Sequence, residues 1–493
     1  MAGGADGSTG YSGVTTDGEV TVMGSIVMCG GGVIGLAAAV MLARDGHRVT
    51  VLEADRDGPP APAAAWERWQ RNGVAQFRQP HNVFPRFRQV CDDELPELPG
   101  RLAAAGCRQV DPLGAPERGG MLPPCLSDHQ PRPGDEAFRY VTGRRPVVEA
   151  VIAAVAAEQP GVVIRRGVQV TELIGGPPAI RGVPHVAGVR TSAGEQLRAD
   201  LVVDAMGRRS RGAQLLTELG ARPPHTEAET SGFAYYTRYF TGPSQPPMRG
   251  PVLMPLGTIS LLTLYGDNDT WSVTTYTSSK DVPAKALRNA ETFGRVIRAC
   301  PLQAHWLDGQ PVTGVLPMAG ITDRYHRFVL DGTPVVTGFA AVGDAWACTN
   351  PSGGRGVSIG IMHAQLLRRT VRTHLGDPAA FARAWNDGTE RAVAPYFRDQ
   401  ISADHVRLAE MTALRENRPW APPDSPMSRL VNAAAYDPDA FRAFLATVLC
   451  LALPQDVLTR PDISDTLERI GDKTPPPFPG PDRPRLLQLL SGS

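Results

Sequence analysis

The 493-residue chain predicts an α/β fold: a Rossmann-like dinucleotide-binding domain, an antiparallel β-sheet domain inserted into it, and a helical C-terminal region. Three observations predict it. The apolar run Ser25–Cys29 leads into the glycine turn Gly30-Gly31-Gly32-Val33-Ile34-Gly35, then an alanine-rich stretch and a second apolar run ending at Glu53. Between residues 230 and 320 the pattern becomes long and alternating, as in half-buried strands. Beyond residue 376 the apolar spacing is helical.

The first unit sets the chemistry. Gly30 permits a tight turn, Gly32 lets the backbone approach a pyrophosphate, and Gly35 lets the helix pack close to the strand. The helix N-terminus offers free N–H groups and a positive dipole end to phosphates. Glu53, ending the second strand, can accept both hydroxyls of an adenosine ribose and disfavours a 2′-phosphate, so the dinucleotide is FAD or NAD and not NADP. Gly46 is placed as the residue that ends the helix. Residues 1–20, rich in Gly, Ser and Thr, read as a disordered leader with no basic or apolar signal segment.

Residues 61–140 are Pro-rich and irregular apart from a helical stretch at Phe87–Leu95. Arg145 opens a helix with Pro146 in its first turn. Strands are expected at Val162–Arg165 and Val168–Leu173, followed by a hairpin from Val186 to Asp204 turning at Ser192-Ala193-Gly194. Further strands are expected at Phe233–Phe240, Val252–Tyr265 and Thr270–Thr277, the last two joined by the turn signal Gly266-Asp267-Asn268-Asp269. From Val335 a strand runs into Gly343-Asp344, and a helix follows over Val357–Arg369. The rest is helical, ending in a Pro-rich tail at Pro475–Pro484, with Phe441–Leu453 a buried helix that either caps the sheet domain or forms a homodimer interface.

Composition narrows the partners. Charged residues are 20% and the formal net charge is zero, which gives no argument for nucleic acid or an anionic membrane. Seven cysteines, an odd number without metal-ligand spacing, point to reduced thiols in a cytoplasm and to no metal site. No apolar run reaches the length of a membrane span.

Two further segments complete a pattern. One is Ala199-Asp200-Leu201-Val202-Val203-Asp204-Ala205-Met206-Gly207-Arg208. The other is Ala341-Val342-Gly343-Asp344-Ala345-Trp346 with Asn350-Pro351-Ser352-Gly353-Gly354-Arg355-Gly356. Asp344 at a strand end can hold a ribityl hydroxyl, and the glycines bring N–H groups to a helix start, where they would face a flavin edge that gains negative charge on reduction. With the first motif, these segments resemble the FAD-dependent monooxygenases of the aromatic-hydroxylase type, over roughly residues 24–370. The resemblance implies an FAD-binding domain built from residues 21–60, 141–212 and 331–375, a substrate domain from 61–140 and 213–330, and a helical region over 376–493. It implies that Gly30, Gly32, Gly35 and Glu53 hold the ADP half of FAD and that Arg145 contacts its pyrophosphate or ribityl region. Asp344 would bind the ribityl chain, and Pro351 through Gly354 would lie beside the isoalloxazine. Gln76, Val170, Asp204, Gly207 and Gly343 complete the expected cofactor shell.

The middle motif departs from the Asp-Gly of the hydroxylases and is closer to the Asp-Ala-x-Gly-Arg of epoxidases, halogenase-like enzymes and prenyl reductases. NADPH or NADH would therefore donate electrons either directly or through a partner flavin reductase. The Trp-x-Trp-x-Ile-Pro signature of halogenases is absent, and Lys280, Lys285 and Lys473 lie far from the motifs in sequence. The expected reaction inserts one oxygen of O2, through a flavin C4a-hydroperoxide, into a small aromatic or polyketide-like substrate. Two alternatives stand beside it: an FAD-dependent reductase or dehydrogenase of the prenyl-reductase type, and a flavin-binding protein without turnover. His81, in Arg71-Asn72-Gly73-Val74-Ala75-Gln76-Phe77-Arg78-Gln79-Pro80-His81, is the candidate catalytic residue, as base or substrate anchor; the competing reading is a loop histidine bonded to backbone. Arg78, Arg86 and Arg88 are either an acid clamp or structural ion pairs. Tyr235, Tyr236, Trp271 and Tyr276 either line a pocket or pack a core.

Overall fold

The computed structural model describes residues 13–16, 19–71, 73–115, 123 and 131–492. At its centre five strands, all parallel, run in the order Phe339–Ala341, Leu201–Asp204, Ser25–Cys29, Arg48–Glu53, Val162–Arg166. Strands covered on both faces read as unbroken apolar runs, and Ile26–Met28 and Leu201–Val203 are buried throughout. The crossover after Ser25–Cys29 is the helix Val33–Arg44, buried from Leu36 through Ala43. Its alanines let it lie close against two other helices, Arg145–Glu158 and Gly356–His374. Gly46, at φ +89°, ends it in the left-handed conformation.

The hairpin expected over Val186–Asp204 is shorter. Val183–Thr191 pairs with Gln196–Arg198, and Leu201–Asp204 leaves it to join the parallel sheet beside Ser25–Cys29. Asp200 makes the switch: its carboxylate accepts from the Ser25 N–H at 2.8 Å and the Ser25 hydroxyl at 2.9 Å, aligning the two strands.

Six antiparallel strands form a second sheet, ordered Leu253–Leu256, Ile259–Tyr265, Thr270–Ser278, Phe233–Thr241, Gln310–Pro311, with Leu316–Ala319 also on Phe233–Thr241. The run Val252–Tyr265 is therefore two strands. Gly257, at φ +59°, turns the chain so that Leu256 pairs with Ile259. Asn268 and Asp269, both at positive φ, form the turn expected at Gly266–Asp269.

Gly13–Thr16 and Glu19–Val22 pair antiparallel where an irregular leader is expected; the rest of that leader, residues 1–12, 17 and 18, lies outside the described residues. After residue 377 the chain is helical: Pro378–Ala392, Ala394–Arg415, Pro426–Ala433, Pro438–Val448, Pro454–Leu458, Pro461–Ile470 and Arg483–Ser491. Each has proline in its first turn, where a missing N–H costs nothing. Asp377, Ser425, Asp437 and Asp482 cap four of them. Phe441, Leu445 and Leu449 pack within the chain on Phe84 and Leu113. The Pro-rich tail leads into a docked helix whose Leu486 and Leu490 enter the core of the second sheet.

Candidate functional site

Three neighbouring parallel strands deliver their turns to one edge of the sheet. Gly30–Gly35 follows Cys29, Ala205–Gly207 follows Asp204, and Gly343–Ala345 follows Ala341. Backbone bonds knit them: Gly30 N to Leu52 O at 2.8 Å, Ala205 N to Cys29 O at 2.8 Å, and Val342 N to Asp204 O at 2.9 Å. Ile34 brings the first helix against Gly343 and Gly360. This carboxyl edge is where open α/β sheets take ligands.

The glycines divide into two kinds. Gly30 sits at φ +114°, and a Cβ there would strike the Ala205 carbonyl; a Cβ on Gly35 would strike the carbonyl of Gly30. Gly32 is different. Its φ is −83°, and the nearest atom to an added Cβ is Arg71 Nη1 at 3.7 Å. The fold itself does not need glycine there. The helix begins with no side-chain cap, so its first N–H groups remain for a ligand.

Glu53 is buried, and its Oε2 accepts from Gly31 N at 2.9 Å and from Arg71 at 2.5 Å, while Oε1 accepts from Asp55 N at 2.9 Å. Arg71 also holds Asp55 and Glu149. Glu149 pairs in turn with Arg145, one turn before it on the same helix, at 3.1 Å. Arg145 Nη1 lies 3.0 Å from His81 Nε2, and His81 Nδ1 lies 2.8 Å from the Gln79 carbonyl. A line of alternating charge thus runs from Glu53 to the loop at His81. Arg71 and Glu149 were not among the expected site residues; the Arg-x-x-x-Glu spacing of Arg145 and Glu149 was the available signal.

His81 sits at the end of this line. Both ring nitrogens are occupied, one by a carbonyl and one by a guanidinium, and burial beside Arg145 pushes its pKa down to about 3. It is bonded to backbone, as in the second of its two readings, and Arg145 engages its other nitrogen. Gln76 lies half-buried in the same loop. Val170 opens the strand Val170–Ile180 two residues after Val168, whose N–H donates to the Glu53 carbonyl at 3.0 Å.

Asp204 turns inward: it accepts from Met206 N at 3.0 Å and from the Ser210 hydroxyl, and burial pushes it up to about 6. Gly207, at φ +69°, completes that turn. Arg208 reaches across to Asp344 at 3.4 Å and to the Thr349 carbonyl. His363 fixes the Gly343 turn by accepting its N–H at 3.2 Å, and it stacks on Trp385 at 4.3 Å. Pro351–Gly353 makes a short turn, and Gly354 (φ +66°) brings the chain against Phe84 and Asn82.

The second sheet presents two faces. Tyr235 and Tyr276, 5.1 Å apart, pack in a buried cluster with Phe233 and Met411, and the Tyr235 hydroxyl donates to the Asn350 amide oxygen at 2.5 Å. Thr237 on the same face donates to Gln79 at 2.9 Å. Tyr236 and Trp271 face the other way into a packed core. Arg86 is spent on the carbonyls of Cys450 and Leu451, and Arg88 on Asp92 and the carbonyls of Arg139 and Glu136; both are structural. Arg78 donates to the Trp69 carbonyl at 3.1 Å and lies over Trp66.

A flavin dinucleotide fits this edge. Gly32 is open, the helix start is uncapped, and Arg166 Nη1 is buried without a partner near Glu53 and Arg71. Among the described residues there is no metal-binding cluster, no helix long and apolar enough to cross a membrane, and every cysteine is free and buried.

No protein-family model matches the chain. It is 27% identical over 443 residues to Protein Rv3254 of Mycobacterium tuberculosis, covering 85% of this chain and 88% of that one. Its structure is similar to the flavin-dependent brominase Bmp2, with a TM-score of 0.59 and 15% identity over 90% of this chain and 98% of that one. It is similar also to p-nitrophenol 4-monooxygenase PnpA of Pseudomonas putida, with a TM-score of 0.56 and 17% identity over 90% and 99%. The likeness is one of fold.

Proposed function

We propose that this chain, which has the fold of flavin-dependent monooxygenases and halogenases, is an FAD-dependent monooxygenase acting on a small, electron-rich aromatic or polyketide-like molecule. One observation carries the reading: three turns from adjacent parallel strands meet at one edge, and the antiparallel sheet reaches the Asn350 loop beside it through the Tyr235 hydroxyl. Gly30–Gly35 would hold the pyrophosphate, Glu53 the ribose hydroxyls beside Val170, Asp344 the ribityl chain, and Pro351–Gly354 the isoalloxazine edge.

Bound FAD supplies the two-electron carrier and the activation of O2. Overall, one oxygen atom enters the substrate while the other, with two electrons and two protons, leaves as water. The chain's own residues bind, orient and exclude water. Arg145 would bring positive charge to the cofactor edge, held in place by Glu149 and by His81, whose pKa burial beside Arg145 pushes down. The joint between Thr237 and Gln79 fixes the loop under the sheet.

Electrons from NADPH or NADH would arrive through a partner flavin reductase. Asp204 and Arg208, which a nicotinamide dinucleotide would otherwise use, are committed to groups within the chain. Halogenation is disfavoured: Lys280, Lys285 and Lys473 are all exposed.

The FAD-loaded protein is reduced anaerobically, with NADH or NADPH alone and then with a flavin reductase added, and mixed with heavy-isotope O2 and a panel of phenols and polyphenols. Incorporation of one heavy oxygen into product supports the reading. Substrate reduction without oxygen uptake would replace it with the reductase, and stable FAD binding without turnover of any panel member would leave a flavin carrier.

A further inference from the structure

One guanidinium in the Arg71–His81 loop is left without an anion. Arg78 is half-buried, and Nη2 donates to the Trp69 carbonyl at 3.1 Å. Among the described residues Nε and Nη1 have no acceptor, and no carboxylate pairs with them. The guanidinium lies over Trp66, 4.5 Å from the ring centre. Arg144 lies over the same ring at 4.6 Å, but Arg144 is matched: it donates to both carboxylate oxygens of the buried Asp267, at 3.0 and 2.7 Å.

The same indole carries an orphaned hydroxyl. Tyr239 packs on Trp66 with 4.8 Å between ring centres, is 2% exposed, and its hydroxyl has no hydrogen-bond partner. Tyr239 stands two residues beyond Thr237 on the strand Phe233–Thr241, so both face one side. Thr237 is bonded to Gln79, the residue after Arg78. A cation short of an anion and a phenol short of an acceptor thus meet across one ring, each within electrostatic reach of the other. Glu67, exposed and out of contact, is the carboxylate that faces Arg78. Unmet polar groups so placed are costly, and glutamine and phenylalanine would fill the space without that cost. One oxyanion between them satisfies both, accepting charge-assisted bonds from Arg78 and the O–H of Tyr239.

We propose that Arg78 and Tyr239 form an oxyanion subsite where the second sheet meets the loop, and that it takes a carboxylate of the substrate, which narrows the substrate to an aromatic or polyketide-like acid. The assignment to the substrate rests on the function proposed above; the anion preference does not. The cofactor's phosphates have a place of their own at the uncapped start of the helix Val33–Arg44. Arg86 and Arg88 take no part, since their donors are spent within the chain. No bond is made or broken at the subsite; it binds and orients. A neutral amide of the same shape leaves the guanidinium unmatched, and that difference is the selectivity.

The test is calorimetric titration of the apoprotein and the FAD-loaded protein with benzoate, salicylate and a hydroxynaphthoate, each paired with its own neutral amide. Wild type is expected to bind at least one acid about tenfold or more tightly than its amide, the worth of a charge-assisted hydrogen bond. In Arg78→Gln that ratio is expected to fall to about one, through weaker binding of the acid alone. Tyr239→Phe is expected to lower it about three- to tenfold, and Arg78→Lys to keep part of it. The Arg78→Gln apoprotein is expected to melt no lower than wild type, because an unmatched charge is removed, and to gain no stability from the acids. No acid preferred over its amide in wild type, or a preference that survives Arg78→Gln, overturns the subsite. An acid preference shown by the apoprotein but abolished by bound FAD, with FAD affinity falling in Arg78→Gln, gives the guanidinium to a cofactor phosphate and overturns its assignment to the substrate. If FAD binds under no condition, the proposed function falls, while the apoprotein titrations still decide the subsite. Should Arg78→Gln not fold, Arg78→Lys and Tyr239→Phe supply the same ratios.

Discussion

Glu149 is a fully buried carboxylate between two arginines. Removing one partner from such a site leaves uncompensated buried charge, which costs about 3–5 kcal/mol. Glu149→Ala is therefore expected to lower chemical-denaturation stability by about 3–5 kcal/mol and to weaken FAD binding, because Arg145 loses its anchor; a loss no larger than a surface substitution would show that the line of charge is ornamental. His81 makes the opposite prediction. Burial and Arg145 keep it neutral down to about pKa 3, so His81→Gln is expected to leave the pH dependence of turnover unmoved between about pH 5 and pH 8, and a displaced limb of the pH–rate profile would restore it as a base. In the folding equilibrium the depressed pKa has a definite sign. Its contribution is fully present above about 6.5, the ordinary histidine value, and is lost as pH falls toward the folded value. The residues alone left both readings of His81 open. Its type and loop fitted a base as well as a backbone-bonded histidine; what the sequence could not supply is Arg145, sixty-four positions away, at its second nitrogen. Glu53 was legible as an acid at a strand end, but its partner Arg71 lies in an irregular segment with no periodicity to place it.

At the scale of the element, the glycine turn was legible because its causes are local: a strand, a turn and a helix within thirty residues. The turn also separates packing from binding. Gly35→Ala drives a methyl group into the Gly30 carbonyl and is expected to cost both stability and FAD. Gly32→Ala meets nothing closer than 3.7 Å at an ordinary backbone angle, so its melting temperature is expected to stay at the wild-type value while FAD affinity falls at least tenfold, about 1.4 kcal/mol. Paired calorimetric melts and FAD titrations distinguish the two; equal loss of stability in both variants would make the loop a merely structural turn. Elements whose cause is distant were misread. Val252–Tyr265 looks continuous until Gly257 turns it back. Leu201–Asp204 looks like a hairpin return until Asp200 fastens it to Ser25.

At the scale of the molecule, the C-terminal region carries no motif, yet it forms the outer wall of the site. Asp399, Gln400 and Asp404, on one helix, hold Arg355, Ser352 and the ground around them. A Cβ on Gly353 would strike Gln400 itself. Tyr396 and Phe397 complete the core beside Trp346, and Met411 packs under Phe233, Tyr235 and Tyr276. Arg407 binds the carbonyls of Gly257 and Ile259, the turn that splits the second sheet. Farther on, Arg483 pairs with the buried Asp281, and Leu486 and Leu490 enter that sheet's core. A chain ending after Leu375 keeps all three cofactor motifs, so a modular protein would still bind FAD when truncated there. The packing gives the opposite expectation: the truncated chain is insoluble or molten, and loses near-ultraviolet circular dichroism and FAD binding together. Truncation after Gly480 is expected to be milder, lowering the melting temperature and admitting protease to the second sheet while FAD binding survives, because it removes Arg483, Leu486 and Leu490 but leaves Asp404 in place. Full FAD binding by the first truncation would detach the C-terminal region from the site and, with it, the hold of Asp404 on Ser352.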